Sequence, residues 1–461
     1  MPGPASLLAH HLYDLAICEH RVALDTRLDR SLRTPPDEAA LHLFERGLAL
    51  EAEVGRALGW PEITVEEGDW RGAADRTTAR MRDGAPGILQ GVLLGDRRLA
   101  RPDLLERVEG ESALGGWHYV PGDVKSAFEA RTDAVLQIGF AARLLEAVQG
   151  RRPAHGFVIL GDGSRETFAL DDVGASIDAA IARAEAVASG KAATAPSFSA
   201  ACARCRWRST CLPELESARD ASFVHGLTRA MRSALARHGV ATVDDLAACD
   251  PGALRRAGAP PDGLERLQRQ AQALLRGAAS GTRPVRIPDG AAPDRFLRIE
   301  VDPLEGREPF LFAWGTADRA DAAVALDDPA RLRAFARLAH DLEGSPAAPV
   351  FTFGVETARA LGRLADRAAW PPARIGDLEG RVVNLAPLVR RRAALPVFHY
   401  RFDEVAAFVE RRPRPALDAP EDALFVTLAA ERERAVPALE EAGRRSVASL
   451  VAIRRWLGGA S

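Results

Sequence analysis

Hydrophobic and polar positions change their spacing several times within the first 200 residues, and each change marks an element. Residues 5–30 and 36–58 carry apolar positions at helical spacing. The second stretch opens at Pro36, whose fixed φ suits a first helical turn, with acids just inside it. Three apolar stretches follow, GILQGVLL, RRLARPDLLERV and GWHYVPGDVKS, broken by GDR and EGESALGG, and predict strands of an antiparallel meander. A helix predicted over 133–149 lines up Val135, Ile138, Ala142 and Leu145 on one face. Strands at HGFVILG and RETFAL and a helix over 171–188 complete a mixed α/β unit. Residues 223–277 read as short helices punctuated by Gly and Pro, and ASGTRPVRIPDGAAPDR reads as a linker. A second α/β unit is predicted from about 295, with strands FLRIEVDP and PFLFAWGT, a helix at 330–341, strand PVFTFG, a helix at 355–368 and a helical tail.

A chain of 461 residues exceeds one core, and at roughly 100–200 residues per domain it predicts two to four. The net charge is −3, so contact with a polyanion must come from local basic patches. The N-terminal apolar stretch contains acid and histidine without a basic flank and is not a signal peptide. No run reaches the roughly 20 apolar residues of a membrane span. The expectation is a cytoplasmic protein. Five cysteines, three of them clustered, point in a reducing compartment to metal.

Of 61 lysines and arginines only Lys125 and Lys191 are lysine. Lys125 lies in GDVKS, whose Asp123 is separated from the Pro102-Asp103 pair by nineteen residues. Asp103 and Asp123 at facing strand positions can share one hard divalent cation, and Lys125, two residues on, joins the same face. Mg²⁺ or Mn²⁺ held by two carboxylates can acidify a water and hold a phosphate. Lysine adds a compact, rotatable donor that planar, permanently charged arginine cannot replace. The alternative is two solvated strand-edge acids and a lysine surviving by chance.

CARCRWRSTC contains Cys202, Cys205 and Cys211, a C-x2-C-x5-C spacing in which one tight turn presents two thiolates to one site. Three ligands leave a fourth to come from elsewhere in the chain. Zinc and an iron-sulfur cluster both accept four thiolates, and the spacing does not separate them. Cys249, on an alanine-rich helix, reads as a small core residue.

The PD…DVK pattern with the cysteines resembles the RecB-type iron-sulfur branch of the PD-(D/E)xK nuclease superfamily. The resemblance implies an α/β restriction-endonuclease-like core over 1–220, with Asp103, Asp123 and the Val124 carbonyl as Mg/Mn ligands and Lys125 catalytic. It implies a [4Fe-4S] cluster on Cys18, Cys202, Cys205 and Cys211, with zinc as the alternative. Gln137 matches the glutamine of the family's QxxxY motif, whose tyrosine position is Ala141 here. Glu51, in GLALE from Gly47, stands where the GxxxH signature has histidine and is a further metal ligand candidate. Residues 221–285 resemble the helix-hairpin-helix-type segments that accompany this branch. From about 294 to 461 the chain resembles a YprB-type RNase-H-like exonuclease domain. Of that domain's four acids only Glu300 is present, the other positions being Arg298, Asn384 and Ser446, so this half is expected to be inactive. The implied function is a metal-dependent deoxyribonuclease acting on single-stranded DNA or DNA ends in repair or processing. No nucleotide-binding lysine loop is present, so a helicase partner would be a separate protein. The alternative is a catalytically inactive nucleic-acid-binding or scaffold protein.

Overall fold

A computed structural model describes residues 7–126, 132–256, 261–302, 308–417 and 432–459. The protein divides into two compact units, one of Met1–Pro196 with Cys205–Cys211 and one of Ser197–Arg204 with Leu212–Ser461. The architecture is mixed α/β with three small sheets among the described residues.

The first unit runs β1 (Leu7–Leu8), α1 (Ala9–Arg27), α2 (Glu38–Leu58), α3 (Trp70–Arg82), β2 (Gly87–Leu89), β3 (Leu93–Gly95), β4 (Arg98–Ala100), β5 (Leu104–Ser112), β6 (Gly115–Val124), α4 (Thr132–Gln149), β7 (His155–Ile159), β8 (Arg165–Ala169) and α5 (Gly174–Ala188). Asp37 caps α2 by accepting the Ala40 N–H at 2.8 Å, and Gly59, in the left-handed region, ends it. Two of the predicted strands are divided. GILQGVLL breaks at Gln90, whose φ of +55° interrupts an extended chain, and RRLARPDLLERV breaks at Pro102, which has no N–H for a ladder. The halves separate into β2-β5-β6-β7-β8 and β1-β4-β3. Helix α3 went unpredicted, although Asp69 ahead of it accepts the Gly72 N–H as a helix cap.

In the larger sheet β5 and β6 pair antiparallel with Leu104 opposite Gly122, while β7 pairs parallel to β6 with Phe157 opposite Gly122. A Cβ on Gly122 would lie 2.3 Å from the Phe157 ring, so only glycine lets these strands meet beside Asp123. On the predicted face of α4, Ile138, Ala142 and Leu145 are nearly inaccessible and Val135 is half-buried. Leu12, Phe140, Leu145, Ile177 and Ile181 join the sheet residues Ile88, Leu105 and Tyr119 in one core.

The second unit carries α6 (Arg208–Ala218, entering from the first), α7 (Arg229–Ala236), α8 (Val243–Ala248), α9 (Pro251–Arg256) and α10 (Pro261–Arg276). Thr242 and Asp245 form a capping box at α8. Cys249 caps the other end of α8, half-buried against the helical core. Residues 258–260 of the GAPPDGLERL segment lie outside the described residues. Then come β9 (Arg295–Val301), β10 (Pro309–Gly315), β11 (Ala320–Val324), α11 (Asp328–Glu343), β12 (Val350–Thr352), α12 (Glu356–Arg367), α13 (Pro372–Arg381), β13 (Val382–Asn384), α14 (Leu385–Arg392), α15 (Phe402–Val409) and α16 (Arg432–Leu457). The sheet order is β11-β10-β9-β12-β13, antiparallel through β9 and parallel from β9 to β13. Leu297, Ile299 and Phe312 meet Phe335 and Leu361 on one face, and Phe296 and Phe351 meet Val389, Leu450 and Ile453 on the other. Among the described residues no helix is long and apolar enough to cross a membrane.

Candidate active site

Asp103 precedes the first residue of β5 and Asp123 is the penultimate residue of β6, so the antiparallel register brings them together. One Asp103 oxygen accepts the Val124 N–H at 2.8 Å, and its carboxyl shares a hydrogen bond with Asp123. The Lys125 ammonium lies 2.6 Å from Asp123 Oδ2, while the Lys125 N–H donates to the Ile159 carbonyl at 2.9 Å and continues the parallel ladder. Glu51 arrives on α2. The Gln90 amide joins it to the pair, donating to Glu51 Oε2 at 3.3 Å and to Asp103 Oδ1 at 3.0 Å.

Gln90 was not anticipated as a site residue. Its positive φ is a backbone outlier for a non-glycine, and it turns the chain out of β2 while its amide faces two acids. No spacing rule would have found it. Gln137 stands on the second turn of α4, half-buried, and among the described residues no hydrogen bond joins it to the acids or to Lys125. Ala141, at the motif's tyrosine position, is 2% exposed inside the core, where a tyrosine would have no room.

The electrostatics follow from three carboxylates in a partly enclosed place. Burial pushes the Asp103 carboxyl well above the usual range, reinforced by the Asp123 charge and the hydrogen bond they share. Glu51 is raised by burial and then by Asp123, with Lys125 and Arg101 opposing. Burial pulls the Lys125 ammonium down, but Asp123, Asp103 and Glu51 together hold it above its ordinary value. The donor set toward a cation is all oxygen, which suits a hard divalent ion. The coupled Asp103 and Asp123 carboxyls favour a proton or a cation between them, while Glu51 is joined to the pair through Gln90.

The cysteine segment is fixed by a separate polar knot in the first unit. Asp25, on α1 and 1% exposed at its side chain, accepts from Arg33 at 2.8 Å, from Trp207 Nε1 at 2.7 Å and from Arg206. Arg206 also pairs with the buried Asp14, and Thr34 donates its N–H to the Arg206 carbonyl at 2.7 Å. Cys18 interrupts α1 with extended backbone, φ −160° and ψ 105°. Cys205 accepts the Trp207 N–H at 3.4 Å. Burial lowers the Arg21 guanidinium, but Cys205, Asp14 and Cys18 hold it above its usual range, so the Cys18 and Cys205 thiols share one cationic neighbour. Cys211 follows on the first turn of α6, and Cys202 belongs to the second unit.

His10, His11 and Asp25 bring possible metal-ligating atoms within 4.8 Å of one another. Two arginines already occupy that carboxylate, and His11 Nδ1 accepts the Leu8 N–H at 3.2 Å, so the group reads as part of the knot.

At the second-unit positions expected to have lost their acids, each side chain has local work. Arg298 pairs with Glu300 and lies 4.0 Å from the Phe402 ring centroid. Asn384 Oδ1 accepts from Ala386, capping α14, and from Gly354, each at 3.0 Å. Ser446 donates to the Ala442 carbonyl of its own helix.

No protein-family model matches the chain, and no curated protein matches it.

Proposed function

We propose that the protein is a metal-dependent nuclease of the PD-(D/E)xK type with one active site, formed by Glu51, Asp103, Asp123, Lys125 and Gln137. The observation that carries this reading is the convergence of three carboxylates and an ammonium from α2, the entry to β5 and the end of β6. The order of three antiparallel strands, a crossover helix and a parallel strand supports a restriction-endonuclease-like core, with the site at the carboxyl end of β6. Asp103, Asp123 and the Val124 carbonyl, with Glu51, would hold Mg²⁺ or Mn²⁺. When bound, the ion supplies an acidified water and neutralises phosphate charge.

The chain's own residues do the rest. Gln90 fixes the rotamers of Glu51 and Asp103 through its two amide hydrogens. Lys125 keeps its proton on Nζ and donates it as a hydrogen bond beside Asp123, where it can orient the attacking water or balance charge building on the phosphate. Gln137 would contact the substrate strand from α4.

The reading extends to a structural [4Fe-4S] cluster on Cys18, Cys202, Cys205 and Cys211, with zinc as the alternative, and to a helix-hairpin-helix-like segment at 221–285. The 3-2-1-4-5 strand order of the second unit supports an RNase-H-like domain over 294–461, and the local bonding of Arg298, Asn384 and Ser446 supports its inactivity. Substrates would be single-stranded DNA or DNA ends in repair or processing, in the cytoplasm, with a helicase as a separate partner.

The buried Ala141 favours a second reading, a catalytically inactive nucleic-acid-binding or scaffold protein, because the family's substrate-strand tyrosine is missing. Incubating metal-reconstituted protein with linear, end-blocked and circular DNA and Mn²⁺ separates the two. Cleavage by wild type no faster than by Asp123→Ala rejects the enzyme.

A further inference from the structure

The second unit contains a cavity of about 190 Å³ with a cationic wall. Arg266 and Arg269 reach it from α10, Arg283 from the following segment, and Arg390 and Arg391 from the last turn of α14. These three stretches are held in fixed relation. The buried Gln270 amide donates to the carbonyl oxygens of Leu395 at 2.5 Å and Val397 at 3.0 Å, and the Tyr400 hydroxyl donates to Gln270 Oε1 at 2.9 Å. The Arg283 N–H donates to the Arg392 carbonyl at 2.7 Å.

Only Arg269 has a nearby acid, Glu265 at 3.5 Å; among the described residues no carboxylate pairs with Arg266, Arg283, Arg390 or Arg391. The partial negative charge at a helix C-terminus accounts for arginines ending α14, but not for the three contributed by other segments. Arg392, the third arginine of that turn, is directed elsewhere, its guanidinium 5.2 Å from the Trp456 ring centroid. His225 also lines the cavity; burial, with Arg390 and Arg266 adding to it, lowers its pKa to about 4, so it brings no charge at neutral pH. Unneutralised guanidinium groups repel one another, and their planar forks match phosphoryl oxygens. The volume lies below the roughly 300 Å³ at which sites for drug-sized ligands begin, yet it accommodates one or two tetrahedral anions.

We propose that this cavity binds a phosphoryl group, supplied either by the end of a polynucleotide strand, a source that rests on the nuclease reading, or by free phosphate. The test uses the full chain in EDTA, so that cleavage plays no part. Fluorescence anisotropy compares labelled single-stranded oligodeoxynucleotides with phosphate and hydroxyl ends, and melting temperature is followed with inorganic phosphate and pyrophosphate. The expected result is a preference of about tenfold or more for the phosphate end, erased in an Arg283→Ala, Arg391→Ala double variant. Both side chains are exposed, and an unchanged melting temperature without ligand verifies folding. Stabilisation by inorganic phosphate with no end preference, lost in the same variant, assigns the site to free phosphate. Wild type showing neither effect, or a folded double variant retaining them, overturns the proposal. Asp123→Ala tests cleavage and keeps this binding, so the two readings fail separately.

Discussion

Replacing Lys125 with arginine isolates the shape of one cation from its charge. The ammonium sits 2.6 Å from Asp123 Oδ2, its side chain 35% exposed and that of Asp123 9%. Arginine retains the positive charge that Glu51, Asp103 and Asp123 demand, so folding is preserved and the melting temperature moves by no more than about 2 °C, the scale of a substitution costing a few tenths of a kcal/mol. The longer, planar group moves the donor by about 1 Å or more, and displacement on that scale costs on the order of 100-fold in rate. Lys125→Met removes the donor altogether, and loss of a positioned proton-transfer or charge-balancing group costs about 10²–10⁴-fold, or roughly 3–5 kcal/mol of barrier. The assay is single-turnover cleavage of labelled single-stranded DNA in Mn²⁺, with circular dichroism melts of each variant. Lys125→Arg cleaving within threefold of wild type refutes the argument that this position requires lysine.

Gln90→Ala frees Glu51 and Asp103 from their shared amide and should raise the Mn²⁺ concentration for half-maximal cleavage by about 10–100-fold; a metal titration measures it. Asp25→Asn leaves Arg33 without its buried counter-charge and Arg206 with Asp14 alone, and should cost about 3–5 kcal/mol in urea unfolding, with accelerated loss of any bound iron followed by its absorbance. Acid sensitivity follows from two groups of the same knot. His11 is held near pKa 3, chiefly by burial, against about 6.5 unfolded, so the unfolded chain takes up the proton first and stability falls as pH drops from 6.5 toward 3; His11→Gln should flatten that slope in unfolding at stepped pH. For Asp25, burial raises the carboxyl, but His10, Arg206 and Trp207 outweigh it and hold it far below its usual value; its contribution is intact above about pH 4 and lost progressively below. Glu300→Ala should leave DNA cleavage unchanged, since the second-unit site lacks its other acids; a tenfold loss would place Glu300 in the chemistry.

Much of the site was legible in the order of residues, because strand chemistry is local. Side chains two apart on a strand share a face, so Asp123 and Lys125 could be paired from their spacing alone, and the rarity of lysine marked the second of them. The elements of the first unit after residue 132 follow their hydrophobic periods to within a few residues, the two helices because each buries one face in the core they share with the sheet. What depended on distant parts of the chain was not legible. Glu51, 52 positions before Asp103, was reached only through the GLALE resemblance, and the amide joining the two belongs to Gln90, whose left-handed backbone no composition rule foretells. The same holds for the division of the meander into two sheets, for Asp25 gathering Arg33, Arg206 and Trp207, and for five arginines from three segments lining one cavity. Local sequence determined which residues could ligate, donate or cap. Tertiary structure decided which of them meet, because register and packing between remote segments set distances that spacing along the chain does not encode.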